Sequence, residues 1–190
     1  MQDQRINKES IQHEVWSFVK TLAIFLFLFF IIRGFIMQPF IVRGQSMEDT
    51  FQDGDYLVVD ELSYRFRDPE RLEVVVFEAD FINNQPNGTY YIKRIVGLPG
   101  DKVTISSDDI TITNQDHPQG LILDEPYLDD AYRSPQQSPL TVTLESQEYF
   151  VLGDNRNNSS DSRTWGILKE QYIIGRPFLR LFPFNEITLY

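Results

Sequence analysis

The sequence predicts a mainly β protein, an antiparallel β-sheet domain behind a single N-terminal transmembrane helix. Three observations carry this reading. The 22 residues Trp16–Met37 are almost wholly apolar. From Pro39 the pattern changes to short apolar or alternating runs punctuated by Asp53-Gly54, Asn87-Gly88, Leu98-Pro99-Gly100-Asp101 and Gly153-Asp154-Asn155, as expected of antiparallel strands joined by turns. Fifteen Phe and nine Tyr suit a pleated, half-buried surface better than an Ala/Leu helical bundle.

The anchor comes first in the chain. Its charge-free core, Thr21–Ile32, is only 12 residues long, short of the roughly 20 that span a hydrocarbon core. Lys20 and Arg33 can lay their stems along the apolar surface and carry their charges outward. The span then extends over 16–37, leaving 1–15 as a tail. No small-x-small cleavage site follows the run, where the chain reads Arg33-Gly34-Phe35, so the segment reads as an uncleaved anchor rather than a removable leader. It lacks the polar face of a globular or interfacial helix. Arg5, Lys8 and Lys20 precede it, with Arg33 and Arg43 behind, a slight bias that favours an inside N-terminus.

Residues 38–190 form the β-rich domain. Strands are expected at Phe40–Val42, Tyr56–Val59, Leu72–Phe77, Thr89–Val96, Lys102–Ile105, Ile110–Ile112, Tyr149–Leu152 and Phe178–Phe182. Residues 114–140, rich in Asp, Pro, Gln and Ser, read as a loop or small excursion. A length of 190 residues fits one such domain plus an anchor.

Charge and composition narrow the chemistry. The formal net charge is −11, and residues after 37 hold 13 of the 17 basic groups against 25 of the 28 acidic ones. An acidic domain argues against nucleic acid as a partner. With no Cys, disulfides and thiol nucleophiles are excluded. The two His, His13 and His117, are too isolated in sequence to form a zinc cluster. No metal or organic cofactor is called for.

The remaining candidates are hydroxyls and amines. Ser46 lies in Gly44-Gln45-Ser46-Met47 just past the anchor, and by itself reads as a structural or solvent-bound Ser rather than as a nucleophile. A Ser nucleophile needs a base, usually His, and spacing alone does not exclude His117. Lys serves in that role when burial lowers its pKa. Lys93 sits in the strand pattern Tyr90–Val96, sharing a face with Tyr91 and Ile95, while Arg94 shares the other with Ile92 and Val96. Of the two cations only Lys can become a neutral base. A surface Lys with a buried stem fits the same pattern. The polar segment Gly153–Gly166, GDNRNNSSDSRTWG, reads either as a solvated loop or as a rigid support around a base.

Four segments in order, GQSMEDTF (44–51), GDYLVVD (54–60), YIKRIVGLPGD (91–101) and GDNRNNSSDSRTWG (153–166), resemble the conserved boxes of bacterial type I signal peptidase, and they follow a hydrophobic anchor as in that family. The resemblance implies a membrane-anchored serine endopeptidase with its β domain on the outer side of the cytoplasmic membrane. Its partners would be the signal peptides of exported preproteins and the lipid bilayer. It makes Ser46 the nucleophile, Lys93 the general base and Ser159 the hydroxyl that orients the Lys. Asp161 and Arg163 match a supporting ion pair, with Asp154 and Arg156 completing that shell. Phe40, Val42, Met47, Tyr91 and Ile92 match positions lining the pockets for residues before the scissile bond. The alternative is an inactive homologue serving as a binding or scaffolding subunit.

Three positions depart from the family pattern. Asp49 stands where Pro is usual, which predicts a more flexible turn after Ser46 and a carboxylate that raises the Lys93 pKa. On that expectation Asp49→Pro lowers the pH midpoint without loss of activity. Asn157 stands where Asp is common. Gly44 replaces an oxyanion-donating Ser found in some members, leaving backbone N–H groups, notably that of Ser46, to hold the oxyanion. The short stretch between Lys93 and Gly153 resembles compact members without a large inserted domain.

Overall fold

The computed structural model describes residues 2–35, 37–82, 85–107 and 109–190, with side chains at 13–29, 38–82, 85–107, 109–135 and 138–190. The chain divides into two compact units, Met1–Gln38 and Pro39–Tyr190.

The first unit is dominated by one helix, α1 (Gln2–Phe35). Neither Gly nor Pro interrupts the sequence before Gly34, so the tail read as separate from the anchor continues the same helix. Pro39, which cannot donate to a helical ladder, follows its end. Among the described residues no helix is long and apolar enough to cross a membrane. The C-terminal part of the predicted span, residues 30–37, lies outside the described side chains.

The second unit is antiparallel β. Its strands are β1 (Met37–Ile41), β2 (Tyr56–Asp60), β3 (Val74–Glu78), β4 (Tyr90–Gly97), β5 (Lys102–Ser107), β6 (Asp109–Thr113), β7 (Leu121–Ile122), β8 (Gln136–Thr143), β9 (Glu148–Leu152), β10 (Leu168–Lys169), β11 (Ile173–Phe182) and β12 (Thr188–Leu189). Among the described residues they form two sheets. The larger runs β1-β2-β11-β3-β4-β9-β10 with β12 paired to β11, and the smaller runs β7-β6-β5-β8. All eight expected strands are present, with shifted ends.

β8 was not expected, because its first half lies in the stretch read as loop. Gln136-Gln137-Ser138-Pro139 carries no apolar alternation. The strand forms by pairing with β5, placing Leu140 opposite Ile105 and Val142 opposite Val103. Its position at the sheet edge is where Pro139 is tolerated.

β4 distributes its side chains among three apolar clusters. Ile95 joins Val75, Phe77, Tyr149 and Val151. Val96 joins Val103, Ile112, Phe150 and Leu152. Ile92 packs against Val42, Met47, Phe51 and Leu57. β4 also pairs with β3 on one side and β9 on the other, so it is fixed on both edges. At its end Gly97 is required by space, since a Cβ there would lie 2.8 Å from Leu144 and 3.0 Å from Phe150 side chains.

Candidate active site

Residues 44–51 fold into a tight turn beside β4. The Gly44 N–H donates to Asp53 Oδ1 at 2.8 Å, and Thr50 and Phe51 N–H groups donate to the Met47 carbonyl at 3.0 and 2.8 Å. Met47 and Phe51 are buried and pin the turn to the core, leaving Ser46 half-buried at its head. Among the described residues no hydrogen bond engages the Ser46 N–H, so that donor is available to an oxyanion.

β4 brings Lys93 to the same place. Its Nζ donates to Ser46 Oγ at 2.7 Å and to the Ile92 carbonyl at 2.7 Å, and stands 5.3 Å from the centre of the Tyr91 ring. Only 4% of Lys93 is exposed. Burial lowers its pKa from 10.5 to about 8, against the carboxylates of Asp161 and Asp154, which pull it upward. His117 is exposed in the turn after β6 and does not line the cleft that holds Ser46 and Lys93.

The segment after β9 closes around this pair. A Cβ on Gly153 would lie 2.5 Å from the Ser46 carbonyl oxygen and 2.6 Å from Ser159 Cβ. Only glycine permits so close an approach. The Asn155 N–H donates to the Ser46 carbonyl at 3.0 Å. Ser159 lines the cleft with Lys93, but its Oγ is buried without a hydrogen-bond partner. Asp161 and Arg163 form a two-pronged ion pair, with Nε and Nη2 each 2.8 Å from a carboxylate oxygen. Asp161 also accepts from the Gly153 N–H at 3.1 Å and caps the short helix α2 (Ser162–Trp165).

Asp154 and Arg156 are not paired with each other. Asp154 receives Arg94 Nε and Nη2 at 2.9 and 2.6 Å, and the Thr50 hydroxyl at 2.6 Å. Arg156 donates through Nε to the Gly153 carbonyl at 3.0 Å and pairs with the Glu125 carboxylate. Arg94, Thr50 and Glu125 went unassigned in the sequence. Arg94 had one available signal, a cation with apolar strand neighbours. Thr50 and Glu125 had none.

The cleft has a volume of about 1140 Å³, and Phe40, Val42, Tyr91 and Ile92 are among its walls together with Ser46, Lys93 and Ser159. Met47 is not among the lining residues, because it is buried beneath the turn against Val42 and Leu57. Asn157 lines the cleft, and its amide donates to the Arg133 carbonyl at 2.8 Å, a bond that a carboxylate could not donate.

Asp49 corrects the expectation placed on it. It is exposed and has φ +64°, in the left-handed region, which Pro cannot enter. The carboxylates that raise the Lys93 pKa are Asp161 and Asp154. The turn is not loosened by the absence of Pro; it has a conformation that excludes Pro.

A family model described as signal peptidase, peptidase S26, matches residues 15–182. A probable signal peptidase I-2 of Synechocystis is 37% identical over 184 residues, covering 96% of this chain and 80% of that protein. A signal peptidase IB of Staphylococcus aureus is 31% identical over 191 residues, covering 93% of this chain and 94% of its own. Among solved structures, a signal peptidase I from Enterococcus faecalis matches with 31% identity and a TM-score of 0.46, covering 58% of this chain and 97% of that one.

Proposed function

The chain belongs to the signal peptidase (peptidase S26) family, and from that premise we propose that it removes signal peptides from exported preproteins, with Ser46 as nucleophile and Lys93 as general base. The observation that carries this reading is the 2.7 Å hydrogen bond between Ser46 Oγ and the buried Lys93 Nζ. A Lys with a pKa near 8 is neutral about one time in ten at pH 7, against roughly one in 3,000 at 10.5. Burial therefore supplies the base that the hydroxyl needs.

Neutral Lys93 takes the Ser46 proton as Oγ adds to the carbonyl carbon. The negative charge that develops on oxygen meets the Ser46 N–H. Lys93, now an ammonium, gives its proton to the leaving amine, and an acyl-enzyme remains. Lys93 then takes a proton from water, which attacks the ester carbonyl; as the bond to Ser46 Oγ breaks, Lys93 returns that proton to Oγ and the signal peptide leaves with its new carboxyl end. Ser159 is the hydroxyl assigned to steady Nζ during the reaction: its buried Oγ has no hydrogen-bond partner among the described residues, and it lines the cleft with Lys93. Gly153, held by Asp161 and Arg156, keeps Ser46 and Ser159 at one spacing. Phe40, Val42, Tyr91 and Ile92 are the apolar walls against which small side chains before the scissile bond would lie, and Met47 supports Val42 from below.

Residues 16–37 are the membrane anchor in this reading, with the N-terminus inside and the β domain outside. The support for this is the run of apolar residues in the sequence between Lys20 and Arg33, which lacks a polar face. Protease added to spheroplasts would cut beyond about residue 40 and spare the tail; a protected domain would reverse the topology. No finding favours an inactive binding subunit.

The deciding experiment gives the full chain, in detergent micelles, a preprotein whose signal peptide ends in alanine. Wild type should release the signal peptide and Ser46→Ala should not. Equal processing by both would overturn the proposal.

A further inference from the structure

The segment after β7, read from sequence as part of a loop, places a buried carboxylate against the catalytic region. Glu125 is 8% exposed and receives Arg156 through both guanidinium Nη atoms, Nη1 at 3.3 Å from Oε2 and Nη2 on Oε1. Tyr127 donates its hydroxyl to Glu125 Oε1 and accepts from Arg156 Nη2 at 3.3 Å. The face of the same ring carries the Arg94 guanidinium, 3.9 Å from its centre. One short segment therefore holds both buried arginines near the cleft.

Those arginines lead to the reacting groups. Arg94 follows Lys93 directly and clamps Asp154. Arg156 holds the Gly153 carbonyl through Nε, and its own carbonyl accepts from Arg163 Nη2 at 2.8 Å. Gly153 in turn lies against Ser46 and Ser159. A carboxylate buried beside a guanidinium is weak evidence of added stability, because desolvation offsets the attraction; its better-attested effect is to fix one geometry.

We propose that Glu125 and Tyr127 are positioning residues for the Ser46–Lys93 reaction, acting through Arg156 on Gly153 and through Arg94 on β4. This rests on the Ser–Lys reading above. A loop anchored only for stability would have the same contacts but would not govern the chemical step.

The test uses the full chain in micelles with a fluorogenic peptide carrying alanine before the scissile bond, comparing wild type, Ser46→Ala, Glu125→Gln, Arg156→Gln, Tyr127→Phe and Glu125→Gln/Arg156→Gln. Glu125→Gln should lower kcat by about tenfold or more with KM within about twofold, since binding survives and geometry does not. The double variant should lose no more than the worse of its two single variants, because the two side chains act as a unit. Tyr127→Phe keeps the ring on Arg94 and should lower kcat by about threefold. Wild-type kcat in Glu125→Gln, or losses that simply multiply in the double variant, would overturn the inference. Should Glu125→Gln not fold, Tyr127→Phe decides by the same criterion, and wild-type kcat in it refutes the role. An active Ser46→Ala would sink the Ser–Lys reading itself. An inactive Ser46→Ala beside an unimpaired Glu125→Gln would sink only this inference.

Discussion

Lys93 Nζ reaches Ser46 Oγ at 2.7 Å across 47 positions of sequence, and its other hydrogen bond goes to the carbonyl of its own neighbour, Ile92. Lys93→Arg keeps a cation there but cannot give a neutral base, so processing should disappear although the protein folds. For wild type, kcat/KM should rise with pH through about 8 as Lys93 loses its proton. A rising limb near the ordinary His pKa that vanishes in His117→Ala would move the base to His117.

The same burial has a consequence for stability. The folded pKa of Lys93 is about 8 and its ordinary value 10.5, so between these values the unfolded chain keeps a proton that the fold has released. Stability should therefore rise with pH across that window. Below it, burying the charged amine costs on the order of 3 kcal/mol. Lys93→Met should melt higher than wild type near pH 7, and the gap should narrow as pH approaches 10.5. A pH-independent difference in Tm would contradict this.

Asp154 is the sole carboxylate on the Arg94 guanidinium among the described residues. Asp154→Asn leaves a buried cation unpaired, and about 3–5 kcal/mol of stability should be lost. It also removes one of the two carboxylates that raise the Lys93 pKa. The rising limb of activity should thus move to lower pH in whatever fraction folds. A limb shifted upward would show that Asp154 does not act on Lys93.

At Asp49 the backbone sets the expectation. Asp49→Gly and Asp49→Asn both tolerate φ +64° and should keep stability and activity. Asp49→Pro forces φ near −65° and should cost more than about 1 kcal/mol, with loss of activity from a displaced Ser46. Chemical denaturation of the three variants separates these effects. An Asp49→Pro protein as stable as wild type would mean that the turn does not need its left-handed residue.

What the sequence made legible depended on how local the signal was. β4 and β9 were readable because Tyr90–Val96 and Tyr149–Leu152 carry apolar runs bounded by turns. β8 was not, since Gln136–Pro139 become a strand only by pairing with β5. The boxes around Ser46, Lys93 and Ser159 were recognisable as linear patterns. The partnerships that fix them were not: Arg94 meets Asp154 from 60 residues away and Glu125 meets Arg156 from 31. No local spacing announces such pairs, because only the folded sheet decides which charges are buried together.

Lys93 and Arg94 occupy consecutive positions of β4, opposite Val75 and Val74 of β3. Successive residues of a strand face opposite ways, so sliding β4 by one position would exchange them. The guanidinium would then face Ser46 and the amine would face Asp154. The slip would also bring a Cβ into the space that only Gly97 fits, and the group beside Ser46 would be one that never releases its proton. The fidelity of strand pairing is therefore a condition for the reaction as much as for the fold, since one register places both the amine beside Ser46 and the glycine beside Phe150.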